Sequence, residues 1–459
     1  MNQRAVSLRD ASPAFLLTGL LPIVSVEKRR KFTFGVPEMT WTSLRGTTRT
    51  GKIAFHAGVF LFALLILFSR RPDALLTPQF YAEDGAYWYV DAYQSGLRCL
   101  LMPNGGYLNT LSRIIGLLAL LVPFAWAPVV MVFSALAFHI LPVNLFLSSR
   151  FDRIPFETRL LGSLIYLGVP NSFEIHANTT NIQWHLAIAC LLVLFAPAEN
   201  ALAWRIVDLT LFALSVLAGP LGMFLIPIAA VLWWKRRDPK SLTALAVLIP
   251  GAILQSLFIL FSGSRPYSPN GATVDRFVGI LGGQVFLSSL LGLRTFIQLY
   301  FAHVSFLFVV QAVAMLIGLT ICIYAAVRAP FELRLFLLYA AIAITFALSR
   351  PYAILRGNHE QWQLMQTPGI TNRYWFFPML AFLACLIWMV TGARKKSARY
   401  AALLLLALLP IGIYRDWVYR PFPDKDFHQF AAEFKRAAPG TEITIPINPV
   451  SWEMHFIKR

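Results

Sequence analysis

The run IAFHAGVFLFALLILFS (53–69) contains no Asp, Glu, Lys or Arg. It has the length a helix needs to cross the hydrocarbon core of a bilayer, roughly 17 to 25 residues. Comparable apolar runs follow at 108–122, 127–147, 158–170, 182–197, 205–218, 221–234, 241–262, 303–327, 332–349, 374–391 and 399–413. In lipid every backbone N–H and C=O must be satisfied within the protein, so runs of this length read as a bundle of spanning helices. Composition agrees: 57% of the residues are hydrophobic and 14% charged, with a mean hydropathy of +0.62, against about 45 to 50% and about 25% in a soluble domain. The expected fold is an all-α polytopic membrane protein with about 10 to 12 transmembrane helices.

The net charge of +18 is concentrated before residue 53 and in the stretches WWKRRDPK (233–240) and GARKKSAR (392–399). Lys and Arg gather in cytoplasmic loops, so this charge reports topology and contact with anionic lipid rather than a nucleic-acid partner. Seven apolar runs separate Lys52 from the 233–240 cluster. An odd number would put the two on opposite sides, so one run is not a full crossing. The suspects are the short 158–170 run and the 205–234 pair, which Gly219-Pro220 interrupts. Beyond 240 the parity holds, with 263–302, 350–373 and the tail from Tyr414 exterior, and 328–331 and 392–399 cytoplasmic. Cys99, Cys190, Cys322 and Cys385 are scattered, which suggests neither a disulfide framework nor a metal site.

Three divisions are expected: a cytoplasmic leader at 1–51, with Met39 an alternative start; a transmembrane domain at 52–413 with an exterior loop at 70–107; and an exterior tail at 414–459. In the tail, DFHQFAAEFKRAAPG (426–440) has helical spacing and a Pro-Gly stop, and EITIPI (442–447) alternates as a strand does. It reads as a small soluble α/β unit.

The stretch YAEDGAYWYVDAY (81–93) places three carboxylates and five aromatics at the membrane edge, where ionised groups are costly without a task. A helix there sets Asp84, Tyr87, Trp88 and Asp91 on one face and lies in the interface. Glu83 and Asp84 are adjacent and point apart, so only one can serve a given reacting atom. The other reading is that these acids only cap and solvate the helix.

With this acidic loop, PNGGYLNTLSRIIGLLALLVP (103–123), NTTNIQWHL (178–186), VLAGPLGMFLIPI (216–228), TNRYWFFPML (371–380) and TEITIPINPVSWEM (441–454) give the chain from 53 to 459 an order of motifs that resembles the integral-membrane GT-C glycosyltransferases, in a poorly characterised bacterial branch. The resemblance implies a GT-C-like fold and an enzyme that transfers a sugar from a polyprenyl-phosphate donor to a cell-surface glycan or lipid. It also implies a multi-pass protein of the bacterial inner membrane with its site on the exterior side. The loop acid then acts as base for an inverting transfer, Asp84 first because it shares a helix face with Trp88, and Glu83 as its close alternative.

Cations must receive the departing phosphate, and the candidates are Arg350, Arg356, His359 and Arg373. Of these, Arg373 opens a span at headgroup level. Trp88, Asp91, His176, Asn181, Trp184 and Tyr374 are candidates for binding sugar or acceptor, and His185 reads as a packed core histidine. Oligosaccharyltransferases pair acids across two exterior loops around a metal. Here Glu174 and Glu360 stand isolated, so no metal or other cofactor is expected.

A flippase, transporter or polymerase of polysaccharide synthesis is the competing reading. Such a protein would carry charges along a path through the spans, whose interiors hold little besides His56, His139 and Asp208. A non-catalytic scaffold leaves the one-sided acids, His, Trp and Arg unexplained.

Overall fold

The computed structural model describes residues 48–198, 201–262, 268–351 and 359–459. Arg356 and all but the end of the expected leader lie outside them. Among the described residues eight helices are long and apolar enough to cross a membrane: Arg49–Arg70, Phe124–Leu147, Pro239–Phe261, Val274–Leu291, Leu307–Arg328, Phe331–Ser349, Asn372–Gly392 and Lys396–Asp416. Shorter helices at Phe156–Gly168, Ile182–Phe195, Leu202–Leu217 and Leu225–Arg236 complete the bundle. The chain is an all-α multi-pass membrane protein with a two-stranded sheet near its end.

The suspects at 158–170 and 205–234 yield Phe156–Gly168, Leu202–Leu217 and Leu225–Arg236, none of them among the eight long helices, and the run at 108–122 is shorter still. It yields a ten-residue helix, Thr110–Ala119, about 15 Å long, half of a hydrocarbon core. Both its ends stay on the side of the acidic loop. Asn109 donates to Tyr107 O at 3.2 Å, and just beyond the helix Phe124 packs against Phe427 and Phe434 of the tail at 5.3 and 4.5 Å between ring centroids. Gly116 lies so close to the Trp88 carbonyl that any side chain there would collide with it.

Val274–Leu291 falls within the segment read from sequence as exterior. Although apolar, it is tied at its middle to Asn171 and just beyond its end to Asp416. Asn171 donates its side-chain amide to Gln284 O at 3.0 Å and its N–H to Asp416 at 3.0 Å, and Asp416 also accepts from Leu293 N and Arg294 N. Gln284 in turn donates to Met365 O and Thr367 O. These anchors hold the helix against the loops at 169–181 and 365–372 on one face.

The opposite face carries the basic loops. Lys240 donates to Ala196 O at 2.8 Å, Arg236 pairs with Glu332 at 2.7 Å, and buried Arg150 meets Asp208 through two bonds of 2.8 and 2.7 Å.

The tail is docked rather than free-standing. A helix at Phe427–Arg436 is followed by β1 (Glu442–Ile447) and β2 (Trp452–Ile457), which pair antiparallel with Ile445 opposite Met454. Phe427, Ile445, Ile447, Met454 and Phe456 are buried, each contributing about 1.5 to 3 kcal/mol if fully withdrawn from water. Their partners include Phe80, Tyr93 and Phe124. Beyond β1, Asn448 O accepts from Ala82 N, and Asn448 N donates to Phe80 O. The tail thereby grips the backbone immediately before Glu83.

Candidate functional site at the acidic loop

Three contacts position this loop. Arg70, buried at the end of the first helix, donates to Leu167 O at 2.7 Å and Val169 O at 3.1 Å, a cation on the free carbonyls of a helix end. Arg71 lies over the Phe422 ring at 4.1 Å and the Tyr419 ring at 5.3 Å. The third is the close approach of the tail to Gly85, where a Cβ would stand 3.0 Å from both Ile447 Cδ1 and Met454 Sδ.

The acidic stretch winds as a π-helix over Asp84–Tyr89 and then as an α-helix over Val90–Ser95. Asp84 is buried and faces the 178–181 loop. Its Oδ1 accepts from Thr179 Oγ1 at 2.7 Å, Thr180 N at 2.7 Å and Thr180 Oγ1 at 2.8 Å, and its Oδ2 accepts from Thr179 N at 3.0 Å. Burial pushes its carboxyl above the usual range, against the pull of these four donors. The loop is further fixed by Ser112 Oγ, which donates to Thr179 O at 2.9 Å, and by Asn178, whose side-chain amide donates to Glu174 O at 2.8 Å. The Asn178-Thr179-Thr180 sequon is thus an internal brace, with Asn178 buried.

Glu83 stands beside Asp84 in the chain. It is half-buried, and burial raises its carboxyl above the ordinary range, partly offset by the Arg373 guanidinium and the Thr180 hydroxyl. Arg373 makes an ion pair with Glu174, its backbone N–H donates to Glu174 Oε2 at 3.0 Å, and its guanidinium lies 4.8 Å from the Tyr374 ring centre. Burial likewise raises the Tyr81 phenol, with the Glu174 carboxylate adding to the effect. The site therefore combines two carboxylates raised by burial, a guanidinium paired with Glu174 and within electrostatic reach of Glu83, and a Thr-Thr turn fixed by hydrogen bonds. Behind Asp84 a cavity of about 10 Å³, lined by Asp73, Tyr81, Met131 and Ala177 among others, has room for about one water.

The other residues singled out from sequence divide clearly. Trp88 is 2% exposed and lies under Arg113, whose guanidinium is 5.1 Å from the ring centre, so its face is not open to a sugar. Asp91 pairs with the same arginine at 2.7 Å. His176 is buried with Nε2 3.1 Å from Leu67 O, and burial holds its imidazole well below the ordinary range. Asn181 donates to Glu174 O and Asn178 Oδ1, starting the helix in which Trp184 is buried. His185 is a packed histidine between Tyr166 Oη at 2.8 Å and Ile175 O at 3.0 Å.

Arg350 and His359 are exposed. Among the described residues neither has a hydrogen bond or ion pair with Glu83, Asp84 or Arg373, and Glu360 beside His359 belongs to an ion pair with Arg276. Thr179, Thr180, Glu174 and Arg113 were not foreseen as parts of this arrangement. The only hint was that NTTNIQWHL stands out as a polar turn before an apolar helix.

No known protein family matches the chain, and no curated protein matches it. Among solved structures the chain is similar to the Archaeoglobus fulgidus oligosaccharyltransferase in its apo form, with a TM-score of 0.43 and 12% identity, over 84% of this chain and 58% of that one. The chain therefore spans less than two thirds of that protein's length.

Proposed function

We propose that this protein is a membrane glycosyltransferase of the GT-C kind, carrying a sugar from a polyprenyl-phosphate donor to a glycan or lipid acceptor at the exterior face of a bacterial cytoplasmic membrane. The observation that carries the reading is the half-buried Glu83 carboxylate beside the fixed Asp84–Thr179–Thr180 turn, within electrostatic reach of the Arg373 guanidinium. Glu83 takes the proton of the acceptor hydroxyl while that oxygen attacks the anomeric carbon. The bond from that carbon to the phosphate oxygen breaks, its electron pair leaves with the polyprenyl phosphate, and the configuration at the sugar inverts. Arg373, its guanidinium 4.8 Å from the Tyr374 ring centre, meets the departing phosphate with its planar donors, and Glu174 orients it meanwhile. Asp84 is a positioning residue: it spends its acceptor capacity on Thr179 and Thr180, leaving Glu83 as the base. No metal is required by this scheme.

The test is transfer by the purified chain from polyprenyl-phosphate sugars to acceptors drawn from the cell surface, read as release of polyprenyl phosphate. Glycosyl transfer that depends on Glu83 supports the reading. Transmembrane movement of a lipid-linked glycan, unchanged in Glu83→Gln and without any transfer, would replace it with a flippase.

A further inference from the structure

Where the Lys396–Asp416 span ends, an open groove of about 1000 Å³ is lined by Arg294, Gln298, Ile413, Tyr414, Arg415 and Trp417 among others. Two cations stand in it with only neutral partners. Arg294 donates to Val418 O and Arg415 to Gln298 Oε1. Neither has an ion pair among the described residues. The nearby acid, Asp416, is 4% exposed, and its oxygens face inward to the N–H groups of Asn171, Leu293 and Arg294.

The rest of the groove suits the edge of a bilayer. Trp417, held by its indole N–H 3.1 Å from Ser69 Oγ, and Tyr414, 85% exposed, are the amphipathic rings that sit at headgroup depth. Along the same span Leu403, Leu404 and Ile411 are exposed, an apolar track leading to the two arginines. We propose that this groove binds a phospholipid with an anionic headgroup, its phosphate between Arg294 and Arg415 and its acyl chains along Leu404 and Ile411. Arginine forks match phosphate oxygens. Unneutralised cations at this depth select an anionic lipid over a zwitterionic one.

The full chain, purified and delipidated in a neutral detergent, is titrated with dimyristoyl phosphatidylglycerol or dimyristoyl phosphatidylcholine, and bound lipid is counted by native mass spectrometry. The wild type is expected to retain phosphatidylglycerol about tenfold more strongly than phosphatidylcholine, the scale of a charge-assisted hydrogen bond. The double variant Arg294→Gln and Arg415→Gln is expected to lose that preference. Equal retention of the two lipids by the wild type, or an unchanged preference in the double variant, overturns the proposal. So does inorganic phosphate that abolishes the preference at equal concentration, since it would make the site one for free anions. Should the double variant fail to fold, a benzophenone amino acid at Tyr414 in an otherwise unaltered chain gives the same decision. Crosslinking to phosphatidylglycerol several-fold above phosphatidylcholine supports the site, and equal crosslinking refutes it.

Discussion

Glu83→Gln separates chemistry from stability, because the two should move in opposite directions. The glutamine keeps shape and hydrogen-bonding reach but cannot accept the acceptor's proton. Turnover should therefore fall by about 10² to 10⁴, which is roughly 3 to 5 kcal/mol of barrier at 1.36 kcal/mol per decade. Stability follows from the direction of the pKa. Burial raises Glu83 above its unfolded value, with Arg373 and Thr180 only partly compensating, so the folded state holds the proton more tightly than the unfolded chain does. Its contribution to stability is fully present below the unfolded carboxylate range and is lost as pH rises through the raised folded pKa. Above the raised folded pKa the ionised group is a net cost, and the variant should melt higher than the wild type there, with the gap closing as pH falls. The assay is release of polyprenyl phosphate by purified protein in detergent, with donor binding and thermal melting measured on the same preparations from pH 4 to 8. Turnover within about threefold of the wild type in a folded, donor-binding Glu83→Gln protein would remove Glu83 as the base.

Four further outcomes are expected. Asp84→Asn turns an NH₂ group toward at least one of the donors that Asp84 now accepts from, leaving buried N–H groups unpaired at about 1 to 3 kcal/mol. Its melting temperature should drop below the wild type's, and an unchanged value would contradict the positioning role. Arg373→Gln removes the cation that lowers Glu83, so the acid limb of the pH–rate profile should move to higher pH, while Arg373→Lys should keep the limb and raise the donor KM several-fold; the pH dependence of kcat/KM measures both. Asp91→Asn strands the buried Arg113 cation and should destabilise by about 3 to 5 kcal/mol, seen in melting curves, with residual folded protein still active. Reporter fusions at Ser397 and Arg459 should report opposite compartments, and a common compartment would refute the arrangement of the last helices.

The apolar runs were legible as helices because the bilayer sets a minimum length and forbids charge, and both constraints can be counted residue by residue. Which run crosses is not written in that count. LNTLSRIIGLLALLVP carries one arginine, an ordinary snorkelling residue by composition, and only the structure shows Arg113 turned inward onto Asp91 and Trp88. The partners of Asp84 lie far off in the chain. Asp84 starts a π-turn over Asp84–Tyr89 and binds Thr179 and Thr180, which stand 95 and 96 positions away and so outside any local pattern. The better marks were the glycines. Gly85 admits the tail's Ile447 and Met454, and Gly116 admits the Trp88 carbonyl. A glycine beside an acidic pair and another inside the next apolar run are what two segments need in order to lie backbone against side chain on one face. A run paired in this way has already buried its apolar stripe against protein and has no need of the bilayer to cover it.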